Sequence, residues 1–177
     1  DPIEYRLTSD MALISQPVDW CGLNYYTRKI IAPEPGPWPA LEEIDGPLPK
    51  TEMGWEIYPE GLGHFLRMAR DEFTGDTPLY VTENGAAYPD EPDADGAVHD
   101  DLRIEYLQLH LDALREAMDE GADVRGYFVW SILDNFEWSF GYEKRFGLVR
   151  VDFDTLERTP KDSYRWYRAF LAEGGSR

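Results

Sequence analysis

Apolar and polar residues alternate along this chain in stretches that switch between a strand-like and a helix-like spacing. The stretch VDWCGLNYY, at 18–26, is a short and mostly apolar run, which predicts a strand. In EGLGHFLRMARDEF, at 60–73, apolar residues recur three and four positions apart, which predicts a helix. These two stretches form one strand-then-helix unit. The inward face of its helix is expected to consist of Leu62, Phe65, Leu66, Ala69 and Phe73.

A second unit begins with PLYVTEN, which predicts a strand near 79–83. The stretch 100–121 shows helical spacing and ends at a glycine, a common stop signal for a helix. The apolar face of this second helix is expected to hold Leu107, Leu111, Leu114 and Met118.

A third unit begins with VRGYFVWSIL, at 124–133, which predicts a strand near 125–132. Its nearly continuous apolar character is typical of a strand that is buried on both faces. The last helix is expected to begin at Thr159 and Pro160 and to run through Leu171, because proline is favoured in the first turn of a helix.

Three such units predict an α/β fold with a parallel sheet, either doubly wound or closed into a (β/α)8 barrel. No glycine-rich phosphate loop follows any of the predicted strands, which argues against nucleotide binding. The segments that do follow them, NYY, TEN and WSILDNFEW, are rich in aromatic rings, amides and carboxylates.

Two long connections need separate interpretation. The segment 31–58 holds six of the chain's 13 prolines together with Trp38 and Trp55. It is either a lid over a site or a mobile surface excursion, the second applying mainly to residues 33–50. The segment DEPDADGAVHDD, at 90–101, resembles a calcium loop but has Leu102 where a bidentate glutamate is required, so a solvated acidic loop is predicted.

Charge and composition narrow the set of partners. The formal net charge of −18 argues against nucleic acid and anionic membranes, which would be repelled, and favours a neutral ligand. Cys21 is the only cysteine, which favours a reducing compartment, so a cytoplasmic location is expected. The three histidines are scattered, and no metal site is predicted. No apolar segment has the length needed to span a bilayer.

Glu83 ends the second predicted strand, and barrel enzymes carry their chemistry at the carboxyl ends of their strands. Splitting a glycosidic bond with retention requires one carboxylate to attack the anomeric carbon and one carboxylic acid to protonate the leaving oxygen. Glu83 is a candidate for the attacking group, with Tyr26 placed to donate a hydrogen bond to it. Trp130, Glu137 and Trp138 add rings and a carboxylate that suit a sugar. From these residues alone, a solvated glutamate beside an Asn-Gly turn remains the alternative.

Five sequence blocks, in order and at suitable spacing, carry a resemblance to a known family. The chain resembles the C-terminal part of family 1 glycoside hydrolases, the β-glucosidase and β-galactosidase family, over nearly its whole length. The resemblance implies a (β/α)8 TIM barrel, a double-displacement retaining mechanism and no cofactor. The blocks are GLNYYT, MGWEIYPEGL, YVTENGA, GYFVWSILDNFEWSFGYEKRFGLVRVDF and RTPKDSYRWYRAFL.

The resemblance also implies roles for individual residues. Glu83 in TENG matches the family's nucleophile, and Tyr26 in NYY matches the tyrosine that holds it. Trp55 in MGWE matches the tryptophan on the aglycone side.

The remaining matches concern the sugar. Trp130 matches the tryptophan under the sugar ring, Glu137 and Trp138 in NFEW match the pair that grips its outer hydroxyls, and Phe146 in KRFG matches the ring at the edge of the pocket. Asn24, in the same block as Tyr26, is expected to bind substrate as well.

One departure from the family pattern changes the expectation for this chain. The family's acid/base glutamate lies in an Asn-Glu-Pro segment on an earlier strand, and no such segment occurs here. Three βα units cannot close an eight-stranded barrel. Residues 1–177 are therefore expected to be the C-terminal portion of a single TIM-barrel catalytic domain, inactive alone and partnered by an N-terminal fragment of the same enzyme. The alternatives are a non-catalytic sugar-binding domain and a structural half-barrel.

Overall fold

A computed structural model describes residues 8–175 of the chain and has alternating strands and helices. Residues 18–26, 79–83 and 125–132, where strands were predicted, each contain a strand. In chain order the elements are α1 (Thr8–Ile14), β1 (Cys21–Asn24), β2 (Ile30–Pro33), β3 (Leu41–Ile44), α2 (Pro59–Met68), a π-helical segment (Ala69–Thr74), β4 (Leu79–Asn84), α3 (Asp101–Asp119), β5 (Val124–Val129), a 3₁₀ turn (Trp138–Phe140), β6 (Val149–Val151), β7 (Arg158–Pro160) and α4 (Asp162–Ala172).

The central sheet has three parallel strands in the order β1-β4-β5. Asn24 pairs with Glu83, and Asn84 pairs with Val129. Because the strands are parallel, their carboxyl ends meet at one edge of the sheet. This edge holds the polar and aromatic segments that follow each strand.

Helices α2 and α3 cover one face of the sheet. Leu79 and Val81 alternate along β4 with less buried residues, and their side chains face the helices because strand side chains alternate in direction. The core between sheet and helices is formed by Tyr25, Leu62, Leu66, Ala69, Leu79, Val81, Leu114, Ala117, Ala122 and Val124.

The other face of the sheet borders an open cavity of about 530 Å³, lined by Tyr80 and Thr82 of β4 and by Phe128 of β5. The prediction that the third strand is buried on both faces is wrong for this chain. Phe128 is 57% exposed, because the helices within residues 8–175 cover only the opposite face.

Two predicted strands are too long. β1 covers Cys21–Asn24, because the pairing register shifts after Leu23. β5 ends at Val129 because the chain then pairs with a later segment: Ser131 donates its N–H to the carbonyl of Phe146 at 3.3 Å and accepts from Leu148.

The predicted start of the last helix is also wrong. Residues Arg158–Pro160 form β7, an antiparallel partner of β6, and α4 begins at Asp162. Proline at 160 ends a short edge strand and does not occupy the first helical turn, because cross-strand pairing with Val149 takes precedence over the helix signal.

Six of the nine residues predicted for the inward helix faces are buried, and three are exposed. Phe65 and Phe73 are exposed, the second because the chain from Ala69 onward adopts π-helical geometry, which changes the angular spacing of side chains. Met118 of α3 is exposed as well. None of the helices in residues 8–175 is both long and apolar enough to cross a membrane.

The proline-rich segment 31–58 contains a β-hairpin that spacing did not predict. Strands β2 and β3 pair antiparallel, with Ile31 opposite Glu43. Trp38 lies in the loop that connects the two strands, and its side chain is 93% exposed. Along the chain, the hairpin lies between Tyr26 and Trp55, so it connects two of the predicted site residues.

The acidic segment 90–101 is not uniformly solvated, contrary to the prediction. Asp90 and Asp100 are buried, and both bind the buried guanidinium of Arg103 in α3, which supplies a compensating charge. Asp93 accepts hydrogen bonds from backbone N–H groups of its own loop.

Candidate active site

A cavity of about 570 Å³ lies at the carboxyl ends of the three parallel strands. All eight side chains predicted from the sequence to form a site line this cavity, although they come from segments more than a hundred positions apart. They are Asn24, Tyr26, Trp55, Glu83, Trp130, Glu137, Trp138 and Phe146. We call it the site cavity.

Glu83 and Tyr26 form the shortest polar contact between these eight residues. The Tyr26 hydroxyl donates a hydrogen bond to Glu83 Oε2 at 2.7 Å. Strand pairing brings the two together, since the N–H of Tyr25 binds the carbonyl of Glu83 at 2.9 Å. Burial, and then the hydrogen bond to Glu83, raises the pKa of Tyr26, so the phenol stays protonated and continues to donate.

Three aromatic rings form one wall of the site cavity. The ring of Tyr26 lies 5.5 Å from that of Trp55 and 6.2 Å from that of Phe146, measured between centroids. Trp55 and Phe146 are 6.3 Å apart. These tilted and edge-on arrangements are favourable for aromatic pairs, and Phe146 is buried, so the wall is a packed unit.

The loop that carries Trp55 is held by a buried carboxylate next to it. Glu56 accepts a hydrogen bond from Arg28 Nε at 2.7 Å and another from the N–H of Leu48 at 2.8 Å. The Thr27 hydroxyl donates to the carbonyl of Glu56 at 2.9 Å. Glu56 thereby ties the chain after Tyr26 to the segment that places Trp55.

Glu137 is the second carboxylate on the wall of the site cavity. It is half-buried, and burial together with the negative charge of Glu83 raises its pKa above the ordinary value. Its neighbour Trp138 has a left-handed backbone conformation, with φ of 42°, and is 81% exposed. The site cavity therefore holds two acidic groups whose charges interact.

The raised pKa of Glu137 predicts a pH-dependent stability difference. A carboxyl group whose pKa is raised by folding binds its proton more tightly in the folded chain, so stability is lost as pH rises through that raised pKa. We expect Glu137→Gln to leave the melting temperature nearly unchanged at about pH 4 and to raise it at about pH 7. Thermal unfolding across this pH range measures the difference, and Glu143→Gln, at an exposed position of the same loop, controls for the lost charge. A constant offset at all pH values would contradict the expectation.

Trp130 enters the site cavity from the end of β5, directly beside the glycine of TENG. The N–H of Trp130 donates to the carbonyl of Asn84 at 2.9 Å. A Cβ atom on Gly85 would lie 1.9 Å from the carbonyl oxygen of Trp130, so only glycine permits this approach. The motif therefore fixes Trp130 next to Glu83.

Asp134 holds the long loop between Trp130 and Phe146 in place. It is fully buried and accepts from four donors, two of them cationic, which compensates its charge. The donors are Arg145 Nη1 at 2.7 Å, the N–H of Gly147 at 2.9 Å, Lys161 Nζ at 3.0 Å and the N–H of Val151 at 3.3 Å.

Two residues that line the site cavity, Asn135 and Phe136, were not predicted. Asn135 donates through Nδ2 to the hydroxyl of Ser131 at 2.8 Å and to the carbonyl of Leu133 at 3.1 Å, so it shapes its own turn. Both lie in the WSILDNFEW segment between predicted site residues, and that position was the available signal.

The chain is similar to known proteins in both sequence and structure. Residues 5–176 match the profile of glycosyl hydrolase family 1. The chain is 47% identical to a bifunctional β-D-glucosidase/β-D-fucosidase of Bifidobacterium breve, over 95% of this chain and 40% of that protein. It is 45% identical to β-glucosidase A of Thermotoga maritima, over 98% of this chain and 38% of that protein.

Solved structures give the same result. The fold is similar to that of β-glucosidase from Thermotoga maritima in complex with deoxynojirimycin, with a TM-score of 0.90 at 44% identity, covering 96% of this chain and 38% of that one. The complex of that enzyme with isofagomine lactam matches with a TM-score of 0.87. The chain thus spans about two-fifths of the length of these relatives, and it belongs to glycosyl hydrolase family 1.

Proposed function

We propose that this chain contributes the nucleophile and much of the sugar pocket to a retaining β-glycosidase that hydrolyses β-glucosides or related β-glycosides. The observation that carries the proposal is the 2.7 Å hydrogen bond from Tyr26 to Glu83 inside a cavity walled by aromatic rings. A carboxylate is the attacking group in this chemistry, and the Tyr26 hydroxyl holds one of its oxygens in place. The relatives named above are β-glucosidases, which supports the substrate class.

In this mechanism a Glu83 carboxylate oxygen attacks the anomeric carbon, and the bond from that carbon to the leaving oxygen breaks. A carboxylic acid supplies the proton that the leaving oxygen takes up. Water then attacks the anomeric carbon of the glycosyl ester, gives its proton to the same acid/base group, and releases Glu83. Two displacements at one carbon give net retention.

We assign the acid/base role to a residue outside this chain. Among the described residues, Glu83 and Glu137 are the carboxylates that line the site cavity. The raised pKa of Glu137 would suit an acid. Its place beside Trp138, however, corresponds by family resemblance to the outer hydroxyls of the sugar. The three βα units accordingly act as the C-terminal part of a (β/α)8 barrel, with the acid in an N-terminal fragment of the same enzyme.

The other side chains of the site cavity bind the sugar in this proposal. Trp130 packs under the sugar ring, while Asn24, Glu137 and Trp138 bind its hydroxyls, because polar atoms and flat rings match the two kinds of sugar surface. The wall that contains Trp55 and Phe146 closes the aglycone side and the pocket edge. The predicted ligand is neutral, in keeping with the charge of the chain.

The experiment that tests the proposal compares an aryl β-glucoside with its 6-phosphate as substrates of the complete protein. A phosphate beside Glu137 would meet a like charge, so we expect kcat/KM to favour the unphosphorylated glucoside at least about tenfold. Glu137→Gln, which removes that charge, should narrow the ratio. Preference for the phosphate would refute the substrate assignment, and turnover of neither would refute the proposed function.

A further inference from the structure

Beneath the contact between Tyr26 and Glu83 lies a set of buried and half-buried polar side chains that the mechanism above does not use. It consists of Asn84 in β4, Tyr106 in α3 and Tyr127 in β5, which we call the tyrosine–asparagine network. Asn84 and Tyr106 are fully buried. Helical spacing turns Tyr106 inward, on the face of α3 that includes Arg103 and His110.

The hydrogen bonds of this network run in one direction toward Tyr26. The Tyr127 hydroxyl donates to Asn84 Oδ1 at 2.5 Å. Asn84 Nδ2 donates to the Tyr106 hydroxyl at 3.1 Å and to the carbonyl of Tyr25 at 2.7 Å. The Tyr106 hydroxyl in turn donates to the main-chain carbonyl of Tyr26 at 3.1 Å. Each hydroxyl hydrogen and each side-chain amide hydrogen of the network has an acceptor.

The network acts where regular strand pairing stops. β1 ends at Asn24, and its register against β4 shifts between Leu23 and Asn24. The carbonyl of Tyr26 therefore lies beyond the ladder, and a side chain from α3 binds it instead. A backbone group held in this way fixes the direction of the attached side chain, here the phenol that meets Glu83.

Tyr106 is itself held firmly. Its ring stacks on the ring of His110, with centroids 4.0 Å apart and planes 26° apart, and His110 Nδ1 lies 2.8 Å from the carbonyl of Tyr106. Burial raises the pKa of Tyr106 and of Tyr127, so both hydroxyls stay protonated and able to donate. Burial also lowers the pKa of His110 to about 4, which keeps this stacking partner neutral at neutral pH.

We propose that Tyr106 is a positioning residue, which holds the main chain of Tyr26 so that the Tyr26 hydroxyl stays on Glu83. The proposal rests on the proposed function, since it concerns the reactivity of Glu83 as nucleophile. Tyr106 does not line the site cavity, and it acts on the reaction only through Tyr26.

The test is a double-mutant cycle in the complete protein, using Tyr106→Phe, Tyr26→Phe and both together with an aryl β-glucoside. We expect Tyr106→Phe to lower kcat about tenfold with KM changed less than about twofold. In the Tyr26→Phe background the same substitution should have almost no further effect, because the group through which it acts is absent. Tyr88→Phe is the matched control. Tyr88 is buried in the same apolar cluster as Tyr106, and its hydroxyl has no hydrogen-bond partner within residues 8–175.

Two results would overturn the proposal. One is a Tyr106→Phe protein as active as Tyr88→Phe, and the other is an equal loss with and without the Tyr26 hydroxyl, which indicates a general structural role. If Tyr106→Phe does not fold, Tyr127→Phe, two hydrogen bonds further from Tyr26, should give a smaller loss with the same non-additivity. Failure of the positioning role and failure of the proposed function are distinguished by the unsubstituted protein. If that protein hydrolyses no β-glycoside, the proposed function itself is refuted.

Discussion

Replacing Glu83 by glutamine in the complete protein is expected to lower turnover of an aryl β-glucoside by roughly 10⁴-fold or more. Glutamine keeps the shape of the side chain and can still accept a hydrogen bond from Tyr26, so substrate binding should be largely retained. The substitution removes the charge that attacks the anomeric carbon, and the loss should therefore appear in kcat. Steady-state kinetics with both proteins measures it.

Two further variants make this result specific. Glu116→Gln, on the exposed side of α3, removes a carboxylate far from the site cavity and should leave kcat unchanged. Glu137→Gln should act mainly through KM, because its partner in the proposal is a sugar hydroxyl. Near-normal turnover by Glu83→Gln would show that another group is the nucleophile.

The second large effect concerns the 177-residue chain by itself, which is expected to be inactive toward an aryl β-glucoside. General acid catalysis contributes typically about 10²–10⁴-fold, and the proposed acid lies outside this chain. The sheet face that carries Tyr80, Thr82 and Phe128 is also open, so water reaches the site cavity. Water in the site cavity raises the local dielectric constant, which weakens the electrostatic interactions that stabilise the transition state.

Adding the N-terminal fragment is expected to restore activity. Burial of apolar side chains such as Phe128 and Ile132, both exposed in this chain, should drive the two pieces together. The assay compares the chain alone, the fragment alone and the co-folded pair. Strong activity of the chain alone that Glu137→Gln abolishes would show that Glu137 is the acid, and that the site is complete without a further segment.

The sequence was sufficient to find eight of the ten residues that line the site cavity, because its motifs occur in the order and at the spacing of the family. Once β1, β4 and β5 lie parallel, TENG, NYY and NFEW must meet at the same edge of the sheet. Asn135 and Phe136 were missed, since nothing in their residue type distinguishes a cavity-lining position from an ordinary loop position.

What sequence periodicity could not predict depends on contacts between distant segments. The hairpin of β2 and β3 and the pairing of β6 with β7 arise from cross-strand hydrogen bonds, and short edge strands leave little periodic signal. The same holds for buried charges. Asp90 appeared to be a solvated acid because its partners, Arg103 and Lys161, lie 13 and 71 positions away.

The tyrosine–asparagine network was missed for a related reason. Tyr106 has the spacing of a core residue in α3, and periodicity does not show that its hydroxyl reaches the carbonyl of Tyr26, 80 positions earlier. The sequence offered Asn84 only as part of a possible Asn-Gly turn, whereas it is buried and hydrogen-bonded on both amide atoms. The hydrogen-bond partners of buried polar groups can be identified only in the folded chain.

The most direct measurement of the central claim is to trap the covalent intermediate. The complete protein is treated with an activated 2-deoxy-2-fluoro-β-glucoside, digested, and examined by peptide mass spectrometry. The account predicts one fluoroglucosyl ester, on Glu83 in the peptide containing YVTENGA, and none on the Glu83→Gln protein. An ester on Glu137 or on any other residue, with Glu83 unmodified in an inactivated enzyme, would contradict it.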